Sequence, residues 1–338
     1  MENITIMTIA KMAGVSHTTV SRALNDSPLV KEKTKQKIRQ IANDLGYVPN
    51  LNAKGLVKNQ SFLIGIFFSE MKTGTSPSFL VDVMNKARDT LPKGYIISVD
   101  SMDNYNEQSL PINRYDGVIV VSQSTDDDAF IETLASRKIP LVVLNRKLER
   151  DDIVNYATDD YLGAQMLLRY AVRMGHRHFG IIEGQSRFMS TVERRRAFDD
   201  VMSENHLAVS NDHIKSGNYL PESGYLEMKE MLTVSQAPTC VFVTNDDMAI
   251  GAIRACNDLG YGVPEDISIL GFDDMDYTKY LVPRLTTVRK PTPSLVEAGV
   301  SALTNLLEGL SIETPKCVFP PALVVRASVQ DLRNETQS

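Results

Sequence analysis

No apolar run in this chain of 338 residues approaches the roughly 20 needed to cross a bilayer. The opening MENITIMTIAK also lacks the basic stretch, apolar run and small-residue cleavage site of a secretory leader. A membrane partner is not expected, and the cytoplasm is the expected location. Cysteine is scarce: Cys240, Cys256 and Cys317 form an odd set with no CxxC spacing, which excludes a disulfide framework and a zinc ribbon and leaves them as packing residues. Enzyme signatures are missing as well. There is no GxSxG nucleophile elbow, no GxxxxGK[ST] phosphate loop and no GxGxxG after a strand. His176 and His178 in GHRHFG alternate without a third ligand nearby, and the pairs Asp246–Asp247 and Asp273–Asp274 lack a partner acid. The expectation is a protein that is not an enzyme and carries neither cofactor nor metal.

What is present begins with charge. The net charge is −6, but residues 1–60 hold nine Lys or Arg against four acids, a balance of +5 that leaves −11 on the remainder. A basic N-terminal module on an acidic body suits a polyanion at one end, because cations gain affinity by releasing counterions from phosphates. With 43% apolar residues and this length, two or three globular domains are expected.

The N-terminal module reads as three short helices. IMTIAKMA sets Ile6, Ile9, Ala10 and Ala13 on one face, and Gly14 breaks it. Ser16 is placed to cap a second helix with His17 and Thr18 in its exposed first turn, while Val20 and Leu24 recur at i,i+4 and point inward. In KEKTKQKIRQIANDLGY, Ile38, Ile41, Ala42 and Leu45 make the stripe of a third helix that stops at Gly46. NLNAKGLVKNQS then has few large apolar residues and a helix-weakening Gly55, so it is a linker or a helix that forms only in company. From Phe62 the pattern becomes short apolar runs alternating with helical segments: 62–68, 95–99, 117–121, 140–144, 179–183, 239–244 and 267–272. Such runs are the mark of parallel strands buried on both faces between crossover helices, read for example at 161–175 and 222–233. Parallel sheets bind ligands at the carboxyl ends of their strands, where Asn245 and Asp273 fall.

IAKMAGVSHTTVSRALN followed by TKQKIRQIANDLGYVPN resembles the headpiece of the lactose/galactose repressor family of bacterial transcription regulators. FVTNDDMAIGAIRACNDLGYGVPEDISILGFDD followed by PRLTTVRKP resembles the C-terminal part of that family's core. The resemblance runs from about residue 4 to about residue 328, with its parts in order. It implies an α/β protein in which a small all-α helix-turn-helix headpiece precedes a two-lobed core with parallel sheets, like sugar-binding periplasmic proteins. The boundaries expected are a headpiece at 1–48, a hinge at 49–60 and a core at 61–338, with lobe 1 at about 61–158 plus 288–318 and lobe 2 at about 159–287 plus 319–330. By the same resemblance His17, Thr18 and Arg22 read base edges in the major groove, and the chemistry agrees, since Arg can donate two hydrogen bonds to guanine O6 and N7. Thr5 joins them as a DNA contact, and Ser16, Thr19, Ser21, Asn25 and Thr34 suit phosphate oxygens. For Ser16 and Thr19 simple capping is an equal alternative. In the hinge the resemblance assigns Leu56 as a minor-groove wedge, Asn50 as a cap and Ala53 as the point where two hinge helices of a dimer meet.

For the core the resemblance selects Arg194, Tyr219, Asn245 and Asp273 as ligand contacts, with Phe79 as an apolar wall. These are types that match a polyol, planar polar groups for vicinal hydroxyls and a ring under the apolar face. Strand-end capping is the alternative for Asn245 and Asp273, and core packing for Tyr219 and Phe79. Two departures stand out. Ala197 occupies a position where the family commonly has Gly, beside three consecutive arginines, Arg194, Arg195 and Arg196, and only 100–116 joins the second and third strands. The reading is a homodimeric repressor of a carbohydrate-utilisation operon, binding a palindromic double-stranded DNA operator and answering to a small molecule, a sugar or sugar derivative. The alternatives are a regulator whose ligand tightens DNA binding, and a sugar-binding transport protein.

Overall fold

The computed structural model describes residues 4–47, 60–72, 74–105, 112–233 and 236–333. The chain divides after Ser61 into two units.

In the first unit α1 (Ile6–Ala13), α2 (His17–Leu24) and α3 (Glu32–Asp44) enclose Ile9, Ala10, Ala13, Val20, Ala23, Val30, Ile38 and Ala42. Gly14 ends α1 at φ +71°, a left-handed backbone that a side chain would strain. Val20 is fully buried, whereas Leu24 is only half-buried and Ala23 takes the second inward place. Lys35 is not part of a solvated face of α3. It is buried, donates to Asp26 Oδ1 at 2.8 Å, and Arg39 donates to the same oxygen at 2.9 Å. Lys37 donates to the Ala13 carbonyl at 3.0 Å. Three of the module's cations therefore hold its turns together.

The second unit begins with β1 (Leu63–Phe68), α4 (Pro77–Thr90), β2 (Ile96–Ser101), β3 (Gly117–Val121), α5 (Asp128–Ser136), β4 (Leu141–Asn145) and β5 (Val154–Thr158). Next come α6 (Asp160–Arg173), β6 (Phe179–Glu183), α7 (Met189–Glu204), β7 (Ile214–Ser216), α8 (Pro221–Met231), β8 (Cys240–Val243), α9 (Asp246–Asp258) and β9 (Ser268–Leu270). It closes with β10 (Thr287–Arg289), α10 (Thr292–Leu307), β11 (Lys316–Phe319) and β12 (Ala322–Val324).

Two parallel sheets result, ordered β11-β5-β4-β3-β1-β2 and β7-β6-β8-β9, with β10 and β12 as an antiparallel ribbon. The chain thus builds lobe 1, builds lobe 2, returns through α10 and β11 to lobe 1, and ends against lobe 2, where Ile269 N donates to the Ser328 carbonyl at 2.9 Å. All seven apolar runs form strands. Five further strands lacked such a run. β5, VNYAT, carries a buried Asn155 whose amide donates to the carbonyls of Val143 and Arg146 at 3.0 and 2.8 Å and whose oxygen accepts from Leu148 N at 2.8 Å. β7 and β11 are edge strands, buried on fewer sides. Among the described residues the short crossover between β2 and β3 holds two 3₁₀ turns, Met102–Asn104 and Ile112–Arg114, and no α-helix. Cys240 and Cys256 are buried and Cys317 half-buried.

Candidate functional site

On α2 the expected readers share one exposed face. Thr18 and Arg22 are neighbours at i,i+4, as are His17 and Ser21, and the opposite face buries Val20 and Ala23. Among the described residues the Arg22 side chain has no hydrogen-bond or ion-pair partner, so its guanidinium keeps its donors. The Ser16 hydroxyl caps the helix, accepting from Thr19 N at 3.1 Å, and lies 2.9 Å from the Thr19 hydroxyl. Asn25 turns its amide back onto the Ser21 carbonyl at 3.0 Å. Thr5 heads α1 with its N–H on the Thr8 hydroxyl at 3.3 Å, and Thr34 is half-buried in α3. Asn50, Ala53 and Leu56 lie outside the described residues.

In the second unit the carboxyl ends of the two sheets face a cleft. Arg194, on α7, is 2% exposed. Its Nε and Nη2 donate to Asp160 Oδ1 at 3.0 and 2.6 Å, its Nη1 donates to the Thr244 carbonyl, and Nη2 stands 3.7 Å from Asp273 Oδ1. The guanidinium carbon Cζ lies over the Phe272 ring, 3.7 Å from its centre. Arg195 and Arg196 turn instead to Glu183 with Asp199 and to Glu193, so helix geometry separates three arginines that spacing does not. Ala197 is buried in the lobe 2 core without displacing them.

Electrostatics divide the carboxylates. Burial pushes Asp273 up to about 6, against the opposing pull of Arg194 and Lys290. Asp246 is likewise raised well above the usual carboxylate range, by burial and by Asp273 beside it. Asp160 is equally buried, yet the charges of Arg194 and Lys290 outweigh desolvation and hold it below the usual range.

Phe79, Arg194, Tyr219 and Asp273 line one cavity together with Asn145, Gln123, Ser190 and Lys290. Its volume is about 30 Å³, close to the space one water occupies in the liquid. It adjoins a chamber of about 250 Å³ through Gln123, Asn145 and Ser190, and another of about 330 Å³ through Asp273 and Lys290. Asn245 does not line it. Its oxygen caps α9 by accepting from Met248 N at 3.0 Å, and its amide donates to the Tyr219 carbonyl at 3.2 Å, so it orders the cleft from behind. Three lining residues other than glycine hold a left-handed or otherwise positive φ: Asn145 at +77°, Tyr219 at +70° and Asp273 at +119°. Such strain is costly for side chains and concentrates at ligand clamps. The Tyr219 hydroxyl reaches Thr191 at 2.5 Å and Ser190 at 3.3 Å, and its ring needs Gly184, where a Cβ would lie 2.1 Å from it.

Lys290 and Asn145 were not singled out from the sequence. The Lys290 ammonium donates to Asn145 Oδ1 at 3.1 Å and lies 5.2 Å from the centre of the Phe79 ring. His176, by contrast, is a structural residue, with Nδ1 3.1 Å from the Thr239 hydroxyl and Nε2 3.2 Å from the Gln330 carbonyl, and burial lowers its pKa. Among the described residues no cluster of His, Cys, Asp and Glu is arranged to hold a metal, and no helix is long and apolar enough to cross a membrane.

Residues 5–50 match the family model for bacterial regulatory proteins of the lacI family, and residues 168–329 match that for the periplasmic binding protein-like domain. Over 330 residues the chain is 40% identical to the probable HTH-type transcriptional repressor ExuR of Bacillus subtilis (strain 168), covering 97% of this chain and 99% of that one. It belongs to the lacI family. The HTH-type transcriptional repressor PurR of Proteus mirabilis (strain HI4320) is another relative, 33% identical over 335 residues and 97% of each chain. Among solved structures, the lac repressor dimer bound to operator and the anti-inducer ONPF superposes with a TM-score of 0.79 at 25% identity, covering 97% of this chain and all of that one. As a lacI-family transcriptional repressor, the protein pairs a helix-turn-helix headpiece with a core of parallel sheets, the α/β architecture expected from its sequence.

Proposed function

We propose that this lacI-family repressor acts in the cytoplasm as a homodimer on a palindromic operator, and that a neutral or weakly charged sugar-like polyol in the core cleft alters its hold on DNA. His17, Thr18 and Arg22 read bases; Thr5, Ser16, Thr19, Ser21, Asn25 and Thr34 fix the register on phosphates; Asn50, Ala53 and Leu56 form the hinge. The observation that carries the ligand assignment is the cavity wall. Planar polar groups from Arg194, Asp273, Asn145 and Gln123 converge on it beside the rings of Phe79 and Tyr219, the composition a polyol requires. Arg194 has five N–H groups, three of them committed to Asp160 and Thr244, and one on each Nη remains for a ligand. The homodimer is in keeping with the dimer found for the lac repressor.

Titration of the full chain with sugars by calorimetry, followed by operator binding with and without the sugar that binds, tests this. Reciprocity requires that the factor by which the sugar changes DNA affinity equal the factor by which DNA changes sugar affinity. The sign of that factor decides between release from the operator and tightening on it. Binding that persists unchanged in both Arg194→Met and Asp273→Asn variants places the ligand elsewhere.

A further inference from the structure

Among the described residues, Asp247 is a buried carboxylate that bridges the cleft and that no ligand role accounts for. It sits in the first turn of α9 in lobe 2 and is 5% exposed. Its Oδ2 accepts from the Ser76 hydroxyl, and its Oδ1 accepts from the Ser78 hydroxyl at 3.0 Å and from the Tyr277 hydroxyl at 2.5 Å. Ser76 and Ser78 belong to the start of α4 in lobe 1, whereas Tyr277 lies in lobe 2. Ser76 is also the cap of α4, accepting from Phe79 N at 3.3 Å. A continuous path therefore runs from Asp247 through Ser76 to the Phe79 ring that walls the cavity.

We propose that Asp247 is a positioning residue that clasps α4 to lobe 2 and sets how closely the two lobes stand. The inference rests on the cleft reading only for its consequence, not for its mechanics. A buried carboxylate closes lobes only if its desolvation is offset. Here Tyr277 and the positive end of α9 serve that carboxylate within lobe 2 itself, and the two serine hydroxyls are added when the lobes meet. Hydrogen bonds to an ionised acceptor are about twice as strong as neutral ones. Two other bridges are weaker in kind. The Arg187–Glu70 ion pair leaves the arginine side chain 47% exposed, and the link from Met189 N to the Gln123 carbonyl, at 2.8 Å, is a neutral backbone bond.

The test measures lobe spacing in the full chain without sugar or DNA. Spin labels go on Cys introduced at exposed Ser136 in lobe 1 and Ser203 in lobe 2, with Cys317, the cysteine that is not buried, changed to Ser. Asp247→Asn and Ser78→Ala should each raise the ratio of wide to narrow spacings, about tenfold for a lost hydrogen bond to a charged group. Ser78→Thr, which keeps the hydroxyl, should restore the narrow distribution, and Ser78→Ala should add little once Asp247 is Asn. An unchanged distribution in Asp247→Asn, additive effects, or narrowing in place of widening would overturn the clasp. Should Asp247→Asn fail to fold, the Ser78→Ala and Ser78→Thr pair decides alone. Because no sugar is present, failure of the ligand assignment leaves this result intact.

Discussion

Replacing Arg194 with Met tests the centre of the cleft where its energetics are steepest. The side chains of Arg194 and Asp160 are 3% and 7% exposed, and truncating one member of a buried pair costs about 3–5 kcal/mol because the other charge stays behind. Asp160 Oδ1 loses two donors and the Thr244 carbonyl loses one, while methionine refills most of the space over Phe272. A domain of ordinary stability, about 5–15 kcal/mol, would lose a fifth or more. The loss should also acquire a pH dependence. In the wild type Asp160 is held below the usual carboxylate range, so its contribution is present at neutral pH and lost only in strong acid. Without Arg194, burial raises the folded-state pKa of Asp160 above the unfolded value. Its penalty then grows as pH rises through that folded pKa, and the variant recovers toward pH 5. Urea unfolding followed by circular dichroism at pH 7 and pH 5 measures both effects. Adding Asp160→Leu to Arg194→Met should return most of the stability, since a well-packed apolar pair often matches a buried ion pair. A cost under about 1 kcal/mol, or additive single and double variants, would refute the reasoning.

Arg22→Ala should weaken operator binding by about 1–3 kcal/mol at the matched base pair and scrambled DNA far less, in titrations at fixed salt; equal losses on both would make Arg22 a phosphate contact. Asp273→Asn should stabilise the core at neutral pH while abolishing sugar binding. With its folded-state pKa about 6, Asp273 favours folding fully below the unfolded value near 4 and loses that contribution as pH climbs to 6, so the wild type should lose about 2–3 kcal/mol between pH 4 and 7 from this group and the variant should not. A variant no more stable than the wild type at pH 7 would count against a strained, desolvated carboxylate. Leu56→Ala should weaken operator binding and straighten the bent duplex in gel-mobility assays without changing sugar affinity in the DNA-free protein; unaltered binding and bend would make 50–58 a tether.

The parts of this fold that were legible in the sequence are those fixed by local chemistry. The face of α2 followed from a Ser16 cap and an inward Val20, both decided within one helical turn. Strands buried on both faces announced themselves as unbroken apolar runs, whereas β5 did not, because Asn155 satisfies its side-chain amide through contacts with residues up to 12 positions away. Burial of Lys35 was likewise hidden, since its partner Asp26 lies in the preceding turn at a positive φ of 57°.

The cleft divides the same way. Its residues at strand ends were open to the carboxyl-end rule, and Asn145, the last residue of β4, and Gln123, two residues past β3, obey it as well as Asp273 does. Arg194 needed the resemblance, because only the packed helix turns it inward and its two neighbours out. Lys290 offered no cue at all: its ammonium is defined by Asn145, 145 residues away.

Long-range pairing of this kind also bears on how the cleft works. Ligand pockets run to about 300–1,000 Å³, and the space walled by Phe79, Arg194, Tyr219 and Asp273 is about 30 Å³. A sugar ring touching all four must therefore take a wider lobe spacing than the one described, and its apparent affinity is its intrinsic affinity reduced by the fraction of molecules in that spacing. Contacts that favour narrow spacing, Asp247 with Ser76 and Ser78 foremost, then compete with the ring although Asp247 and Ser78 do not line its space. A ligand confined to the 250 Å³ chamber beyond Gln123, Asn145 and Ser190 would feel no such competition. The response of sugar affinity to lobe spacing thus reports which of the two volumes the ligand occupies.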